Sequence, residues 1–283
     1  MSIISGNAKL AGVIGWPVGH SLSPRVHGYW LDHYELDGAY LPLAVKPEDF
    51  VEALKVLPKL GFAGANVTVP HKETALATVD TVTDKARRIG AVNTVIVQPD
   101  GTLLGENTDA FGFIENIRSA DVTWTAGKGP AVVLGAGGAA RAVCAALLDE
   151  HIPEVRLCNR NPDRAVALAK DLGSPVDVVS WESRSEALEH AALLVNTTTL
   201  GMVGHPGLDM DLKRLPGDAF VTDIVYSPLK TRLLEAAEKR GNRVIDGLGM
   251  LLHQARPGFL AWFGVDPDVT DELRSFVLKQ RAV

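Results

Sequence analysis

Two hydrophobic periods take turns along this chain. Short apolar runs fall near Ala131–Leu134, Val155–Cys158, Val176–Val179, Leu193–Asn196, Phe220–Val225 and Arg243–Ile245. Between them, apolar residues recur at helical spacing near Ala139–Glu150, Pro162–Leu172, Trp181–His190 and Leu229–Arg240. Runs with little polar alternation read as strands covered on both faces, and strands alternating with helices make a parallel sheet. Residues 110–246 are therefore expected to form a doubly wound α/β domain.

The same alternation fills residues 1–109. Strands are predicted at Leu10–Gly15, Ala39–Val45, Gly64–Val69 and Val92–Val97, and helices at Pro24–Leu36, Pro47–Leu60 and Thr81–Ile89, with Ala110–Ser119 following. Pro99–Asp100–Gly101 marks a hairpin turn between Val95–Gln98 and Thr102–Leu104. The turn-forming stretch Thr123–Pro130 reads as a connection into the second sheet. Helical patterns at Gly249–Phe263 and Asp268–Leu278 follow the last strand. With no strand left to join, residues 247–283 are expected to pack back on the first domain. The expected architecture is thus α/β throughout, in two domains with C-terminal helices returning to the first.

Composition narrows the field without choosing within it. The 283 residues are 46% hydrophobic and 22% charged, with a formal net charge of -6. A negative chain lacks the basic face that nonspecific nucleic-acid binding needs. No apolar run approaches the ~18 residues of a membrane span, and Met1–Lys9 carries no secretory signal pattern. Cys144 and Cys158 have no metal or CxxC spacing and read as small core residues of a reducing, cytoplasmic compartment. No metal is expected, and the chain is read as a monomer or homodimer.

The first chemistry-bearing pattern is Val132–Val133–Leu134–Gly135–Ala136–Gly137–Gly138–Ala139–Ala140. A strand that ends in Gly-x-Gly-x-x-Ala and passes into a helix is the dinucleotide fingerprint in its required context. Gly135 permits the turn, Gly137 lets a pyrophosphate approach the backbone, and Ala140 lets helix and strand pack closely. The free N–H groups of the helix start attract phosphate. Sites selective for NAD place an acid at the end of the next strand, to accept from the ribose 2′-hydroxyl. Here that place holds Asn159 and Arg160, with Arg164 one turn further on. Guanidiniums grip a 2′-phosphate with charge-assisted hydrogen bonds, so the expected cofactor is NADP. Asp163 reads as a solvated residue in the first turn of the following helix.

Residues 1–109 carry polar groups at element ends. Ser21-x-Ser23-Pro24 precedes the first helix, where one serine fits as its N-cap. In Asn66–Val67–Thr68–Val69–Pro70–His71–Lys72 the alternation puts Asn66 and Thr68 on one face, and the proline ends the strand and delivers Lys72 to a turn. Asn93–Thr94 and Asn107–Thr108–Asp109 add amides, hydroxyls and a carboxylate. Such groups suit a small polyhydroxylated carboxylic acid. They do not say which one.

Taken together and in order, these strings resemble the shikimate dehydrogenase family over nearly the full length. Gly90–Ala91–Val92–Asn93–Thr94, Asn107–Thr108–Asp109-x-x-Gly112 and Asn196–Thr197–Thr198–Thr199-x-Gly201–Met202 belong to the match. So do Asp223-x-Val225–Tyr226-x-Pro228 and Asp246–Gly247-x-Gly249–Met250–Leu251-x-x-Gln254. The resemblance implies reversible, NADPH-dependent reduction of 3-dehydroshikimate to shikimate, a step of aromatic amino acid biosynthesis. It implies Lys72 and Asp109 as the catalytic pair. Ser21, Ser23 and Tyr226 would bind the ring carboxylate, and Asn66, Thr68, Asn93 and Gln254 the ring hydroxyls. The cofactor would lie against Gly135, Ala136, Gly137, Gly138, Ala139, Asn159, Arg160, Arg164, Thr198, Met202, Gly247 and Met250.

One departure from the family pattern touches the cofactor. Asn161 stands where a hydroxyl residue usually follows Asn-Arg, so one donor to the 2′-phosphate is lost or replaced by an amide. A related branch accepts quinate and often NAD. Dual use of substrate or cofactor is the alternative reading, against which Asn159–Arg160 speaks. Gly247 and Gly249 are read as sources of backbone freedom, and His27, His33 and His71 as structural.

Overall fold

The computed structural model describes residues 3–279. The chain divides into two compact units: residues up to Asp109 together with those from Leu251 onward, and Ala110–Met250.

The first unit is built on a mixed sheet. Its strands are β1 (Lys9–Gly15), β2 (Gly38–Ala44), β3 (Phe62–Val67), β4 (Thr81–Val82), β5 (Thr94–Val97) and β6 (Leu103–Glu106). They lie in the order β2-β1-β3-β5-β6-β4. The β1 strand pairs in parallel with both β2 and β3, whereas β5 runs antiparallel to β3 and to β6. Ile14, Phe50, Leu54, Val67, Val92, Val95 and Leu103 form a buried core on this sheet. An aromatic cluster makes a second. Trp30 lies edge-on to Phe259, and Trp262 is tilted against Tyr40. Trp30 donates its ring N–H to Asp268 O at 3.0 Å and Trp262 to Val95 O at 3.1 Å. Two nearly fully buried tryptophans contribute several kcal/mol each by area, about 25 cal/mol per Å2 over roughly 150–250 Å2.

The second unit carries a wholly parallel sheet. Its strands are β7 (Ala131–Leu134), β8 (Val155–Cys158), β9 (Val176–Val179), β10 (Leu193–Asn196), β11 (Phe220–Asp223) and β12 (Arg243–Ile245). The order β12-β11-β10-β7-β8-β9 places β7 and β10 side by side at the centre. The strand order reverses there, and in such sheets ligands bind beyond the carboxyl ends of the strands at this switch point. Cys144 and Cys158 are both buried free thiols, which burial pushes up to about 12.

Local chemistry overrides the predicted pattern in places. Trp181–His190 forms turns and a 3-10 segment at Glu186–Leu188 rather than an α-helix. Only Ala187 and Leu188 there are fully buried apolar residues, too few for a helical stripe. Ser180 and Ser183 bond each other's polar groups instead, with Ser183 N on Ser180 Oγ at 3.2 Å. The predicted helix Pro47–Leu60 divides into Pro47–Asp49, Phe50–Val56 and Leu57–Leu60, broken where Pro58 lacks an N–H to donate. Thr81–Val82 pairs with β6 as a short strand, and the helix starts after it at Asp84, capped by the Thr83 hydroxyl.

Candidate active site

In the first unit, the ends of three strands and the starts of two helices bring Asn66, Lys72, Asn93 and Asp109 of the predicted residues into one network, which Gln254 joins. Lys72 opens the helix Lys72–Thr78 and Asp109 opens Asp109–Ala120. The Lys72 ammonium donates to Asp109 Oδ2, with the two side chains 20% and 10% exposed. The other carboxylate oxygen, Oδ1, accepts from Asn93 Nδ2 at 2.8 Å. Asp109 is fixed from behind as well. Its N–H donates to Asn107 Oδ1 at 3.0 Å, and Asn107 Nδ2 donates to Ala91 O at 2.9 Å.

Asn93 is the hub. Its Oδ1 accepts from Thr108 N at 2.8 Å and from Thr94 Oγ1 at 3.0 Å, and its Nδ2 reaches Thr108 Oγ1 at 3.1 Å and Gln254 Oε1 at 3.4 Å. Gln254 Nε2 in turn donates to Leu251 O at 3.0 Å. Asn93, Thr94, Thr108, Asp109 and Gln254 are all buried. The network orients nearly every amide and hydroxyl it contains, as buried polar groups require.

Asn66 is spent mainly on this scaffold. It stands opposite Thr94 in the β3–β5 register. Its amide donates to Thr94 Oγ1 at 3.1 Å and Asn93 O at 3.2 Å, while its Oδ1 accepts from the Tyr40 hydroxyl at 2.6 Å. Burial pushes the Tyr40 phenol well above its ordinary range, against a hydrogen bond with Ser23. Tyr40 is stacked face to face on His27 at 3.9 Å. Desolvation takes the buried His27 imidazole down to about 3, so the ring is neutral. His71 stacks on Phe50 and bonds Val45 O at 2.9 Å, which holds the loop before Lys72.

Neither serine stands at the cap position of the first helix. The cap position of Ser23–His33 is Leu22, whose side chain makes no capping bond. Ser21 Oγ accepts from Ser23 N at 3.3 Å. The Ser21 hydroxyl thus engages the first helical N–H from one residue before the cap position.

The second unit holds the other predicted residues, Tyr226 among them. Gly135 has φ +112°, and a Cβ there would lie 2.5 Å from Thr197 Oγ1, so glycine is required by both conformation and space. Gly137 is different. No protein atom lies within 4 Å of where its Cβ would sit, so no protein neighbour demands glycine there. Gly137 is also the cap residue of the helix Gly138–Asp149, whose first turn no side chain caps. A bare helix start with backbone approachable at Gly137 fits a dinucleotide pyrophosphate.

At the end of β8, Asn159 Nδ2 donates to Asn161 O at 2.7 Å, and Asn161 caps the helix Pro162–Leu172 by accepting from Arg164 N at 3.3 Å. Asn161 is therefore a structural residue. Arg160 and Arg164 are exposed, and no carboxylate among the described residues holds either one. Asp163 is exposed in the first helical turn. Thr198 donates from both its N–H and its hydroxyl to Asn196 Oδ1, at 3.1 and 2.7 Å.

Gly247 and Gly249 do not sit in the left-handed region. A Cβ at Gly247 would lie 2.2 Å from Ile224 O, and one at Gly249 would lie 1.8 Å from Asn116 Oδ1. Close packing explains both glycines, and the reading of backbone freedom gives way to it.

A family model described as the shikimate dehydrogenase substrate binding domain matches residues 13–95, and one described as shikimate / quinate 5-dehydrogenase matches residues 122–202. Shikimate dehydrogenase (NADP(+)) of Paramagnetospirillum magneticum is 62% identical over 275 residues, 97% of this chain and 100% of that protein. The chain belongs to the shikimate dehydrogenase family. The protein of the same name from Rhodospirillum rubrum is 60% identical over 98% of this chain and 99% of its own length. Among solved structures, shikimate 5-dehydrogenase from Thermus thermophilus in complex with NADP(H) and shikimate is 40% identical. Its TM-score is 0.84, and the match covers 95% of this chain and 98% of that one. Quinate dehydrogenase from Corynebacterium glutamicum in complex with NAD is 31% identical with a TM-score of 0.89, over 96% and 99% of the two chains.

Within this family frame, reading the residues in sequence order misses Tyr40 altogether and gives Thr94, Thr108 and Asn107 no role. Period-2 alternation could have put Tyr40 on the covered face of its strand, but not beside Asn66. No helix among the described residues is long and apolar enough to cross a membrane.

Proposed function

We infer that this protein catalyses the reversible, NADPH-dependent reduction of 3-dehydroshikimate to shikimate. The observation that carries the reading is the Lys72–Asp109 pair, set in a buried network of amides and hydroxyls. Such a site suits a substrate with several ring hydroxyls, because each amide is already turned toward a fixed partner. A substrate lacking one hydroxyl gives up a hydrogen bond to a group fixed in place for it and is disfavoured.

NADPH, when bound, supplies the hydride to the keto carbon. The chain's own residues do the rest. Lys72 gives a proton to the oxygen that becomes the hydroxyl and, in the reverse direction, takes it back. Asp109 fixes the ammonium through Oδ2 while Asn93 holds the carboxylate through Oδ1, so the proton donor is preorganised before substrate arrives. Ser21, Ser23 and Tyr226 are assigned to the ring carboxylate, with Thr68, Asn93 and Gln254 at the hydroxyls. Asn66, whose amide also holds Asn93 and Thr94, joins them there. Gly135–Ala139 and the helix start take the pyrophosphate, and Arg160 and Arg164 the 2′-phosphate. Thr198, Met202, Gly247 and Met250 complete the cofactor side.

The test is the oxidation of NADPH, followed by its near-ultraviolet absorbance, with 3-dehydroshikimate as substrate. It is repeated with NADH, and in reverse with shikimate and with quinate. Turnover with 3-dehydroshikimate and a clear preference for NADPH are expected. Faster turnover of quinate with NAD would replace this reading by the quinate branch.

A further inference from the structure

Asp223 at the end of β11 is fully buried and has no place in the assignments above. Its carboxylate gathers three donors from three separate segments. Oδ1 accepts from Asn196 Nδ2 at 3.0 Å, across the β10–β11 register, and from Val225 N at 3.0 Å. Oδ2 accepts from the Thr231 hydroxyl at 2.7 Å, and Thr231 in turn caps the helix Arg232–Lys239. All three donors are neutral. Burial pushes the carboxyl above its ordinary range, against the pull of those hydrogen bonds. A buried carboxylate without a cation is costly unless it does something an apolar residue could not. What it can do is accept from several directions at once.

The recipients show what is being held. Asn196 also donates to Leu200 O at 3.1 Å and accepts both hydrogen bonds of Thr198. Thr198 Oγ1 accepts from Leu200 N at 3.1 Å. Ile224 N donates to Asn196 O at 3.1 Å, and Val203 N to Ser227 O at 2.8 Å. The loop 196–203 and the turn 223–228 are thus laced together, and the lacing ends on one carboxylate.

We propose that Asp223 is a positioning residue for cofactor binding, which through Asn196 and Thr231 holds the loop bearing Thr198 and Met202 in its binding shape. The inference rests on the reading of this unit as the NADP-binding one.

The experiment titrates NADP+ into the full chain by calorimetry, for wild type, Asp223→Ala, Thr231→Val and Thr231→Ser. Amide hydrogen exchange across 198–203 and at Val225 is measured on the same proteins. Wild type that fails to bind NADP+ would overturn the functional reading itself. Given binding, Asp223→Ala is expected to weaken NADP+ about tenfold or more, the order carried by a lost hydrogen bond to a charged group. Thr231→Val should weaken it severalfold, and Thr231→Ser should restore it to within about twofold. Exchange in the loop should quicken while exchange in β1 and β3 stays unchanged. A merely structural carboxylate would lower the unfolding temperature and leave the affinity of the folded fraction alone. Should Asp223→Ala not fold, the Thr231 pair decides. Wild-type affinity and wild-type loop exchange in Thr231→Val overturn the proposal.

Discussion

In the first unit Lys72, Asp109, Asn93, Thr94, Thr108 and Gln254 are joined to one another, side chain to side chain. In the second, the groups assigned to the cofactor's phosphates are backbone at Gly135–Ala139 and two exposed arginines that no carboxylate among the described residues restrains. The contrast follows from what each surface has to recognise. A small ring with several hydroxyls is discriminated by donors and acceptors fixed in advance, and in a buried network each group fixes the next. A phosphate is large, charged and symmetric, so N–H groups of a helix start and mobile guanidiniums suffice. Changes in the first unit's network should therefore propagate, whereas changes at the two arginines of the second should act locally and nearly add.

The largest effect is expected at the centre of the network. Lys72→Met should cut kcat by roughly 10²–10⁴-fold, the usual worth of a general acid–base group, and leave the KM for 3-dehydroshikimate within a few-fold of wild type. Steady-state kinetics separate the two. Retention of more than about half of the wild-type kcat would remove Lys72 from the proton-transfer role. Asp109→Asn should also slow turnover, since it takes away the charge that holds the ammonium.

On the nucleotide side, the double change Arg160→Ala with Arg164→Ala should raise the KM for NADPH by about tenfold to a thousandfold, as two hydrogen bonds to a charged group imply. The KM for NADH should barely move, and each single change should give about half of the free-energy effect. If both cofactors weaken equally, the arginines serve the adenine or the fold.

These two predictions differ in how far the sequence could lead to them. The glycine pattern after β7, the missing acid after β8 and the alternation of strands and helices are local, and each was readable from neighbours along the chain. The network in the first unit is not local. Asn66 and Thr94 meet only because β5 runs antiparallel to β3 in one register, and alternation tells which face a residue is on but not which residue stands opposite. Lys72 and Asp109 were legible through the resemblance alone. Two local readings gave way to tertiary facts. The cap position before the first helix falls on Leu22 rather than on a serine, and Gly247 and Gly249 answer to a carbonyl and an amide side chain pressed against them.

The two fingerprint glycines sharpen the contrast within a single loop. Gly135→Ala forces a residue with a side chain into φ +112° and onto Thr197, so it should lower stability, by about 1–3 kcal/mol for a strained backbone. Gly137→Ala meets no protein atom and should leave the unfolding temperature within a degree or two, yet weaken NADP+ binding about tenfold by crowding the pyrophosphate. Thermal unfolding and calorimetric titration on both variants test the pair. A Gly137→Ala protein that binds NADP+ normally would show that the pyrophosphate does not approach this backbone.

The smallest effect lies beneath the substrate network, where it is a matter of pH. His27 is buried and stacked on Tyr40, among the described residues neither ring nitrogen makes a hydrogen bond of good geometry, and the pull of the Asn66 side chain is outweighed by desolvation. Desolvation lowers it from 6.5 to about 3. Above pH 6.5 the ring is neutral folded and unfolded alike and contributes no pH dependence. As the pH falls from 6.5 toward 3, the unfolded chain takes up a proton that the native state refuses, so stability is lost at about 1.4 kcal/mol per pH unit. Urea unfolding at pH 7.5 and pH 5.5 should then show wild type losing about 1.4 kcal/mol more than His27→Phe over that interval. The phenyl ring keeps the stack on Tyr40 and cannot titrate, and at pH 7.5 the variant should be at least as stable as wild type. Equal losses in the two proteins would mean that His27 is protonated in the fold, and that the ring under Tyr40 carries a charge the network must accommodate.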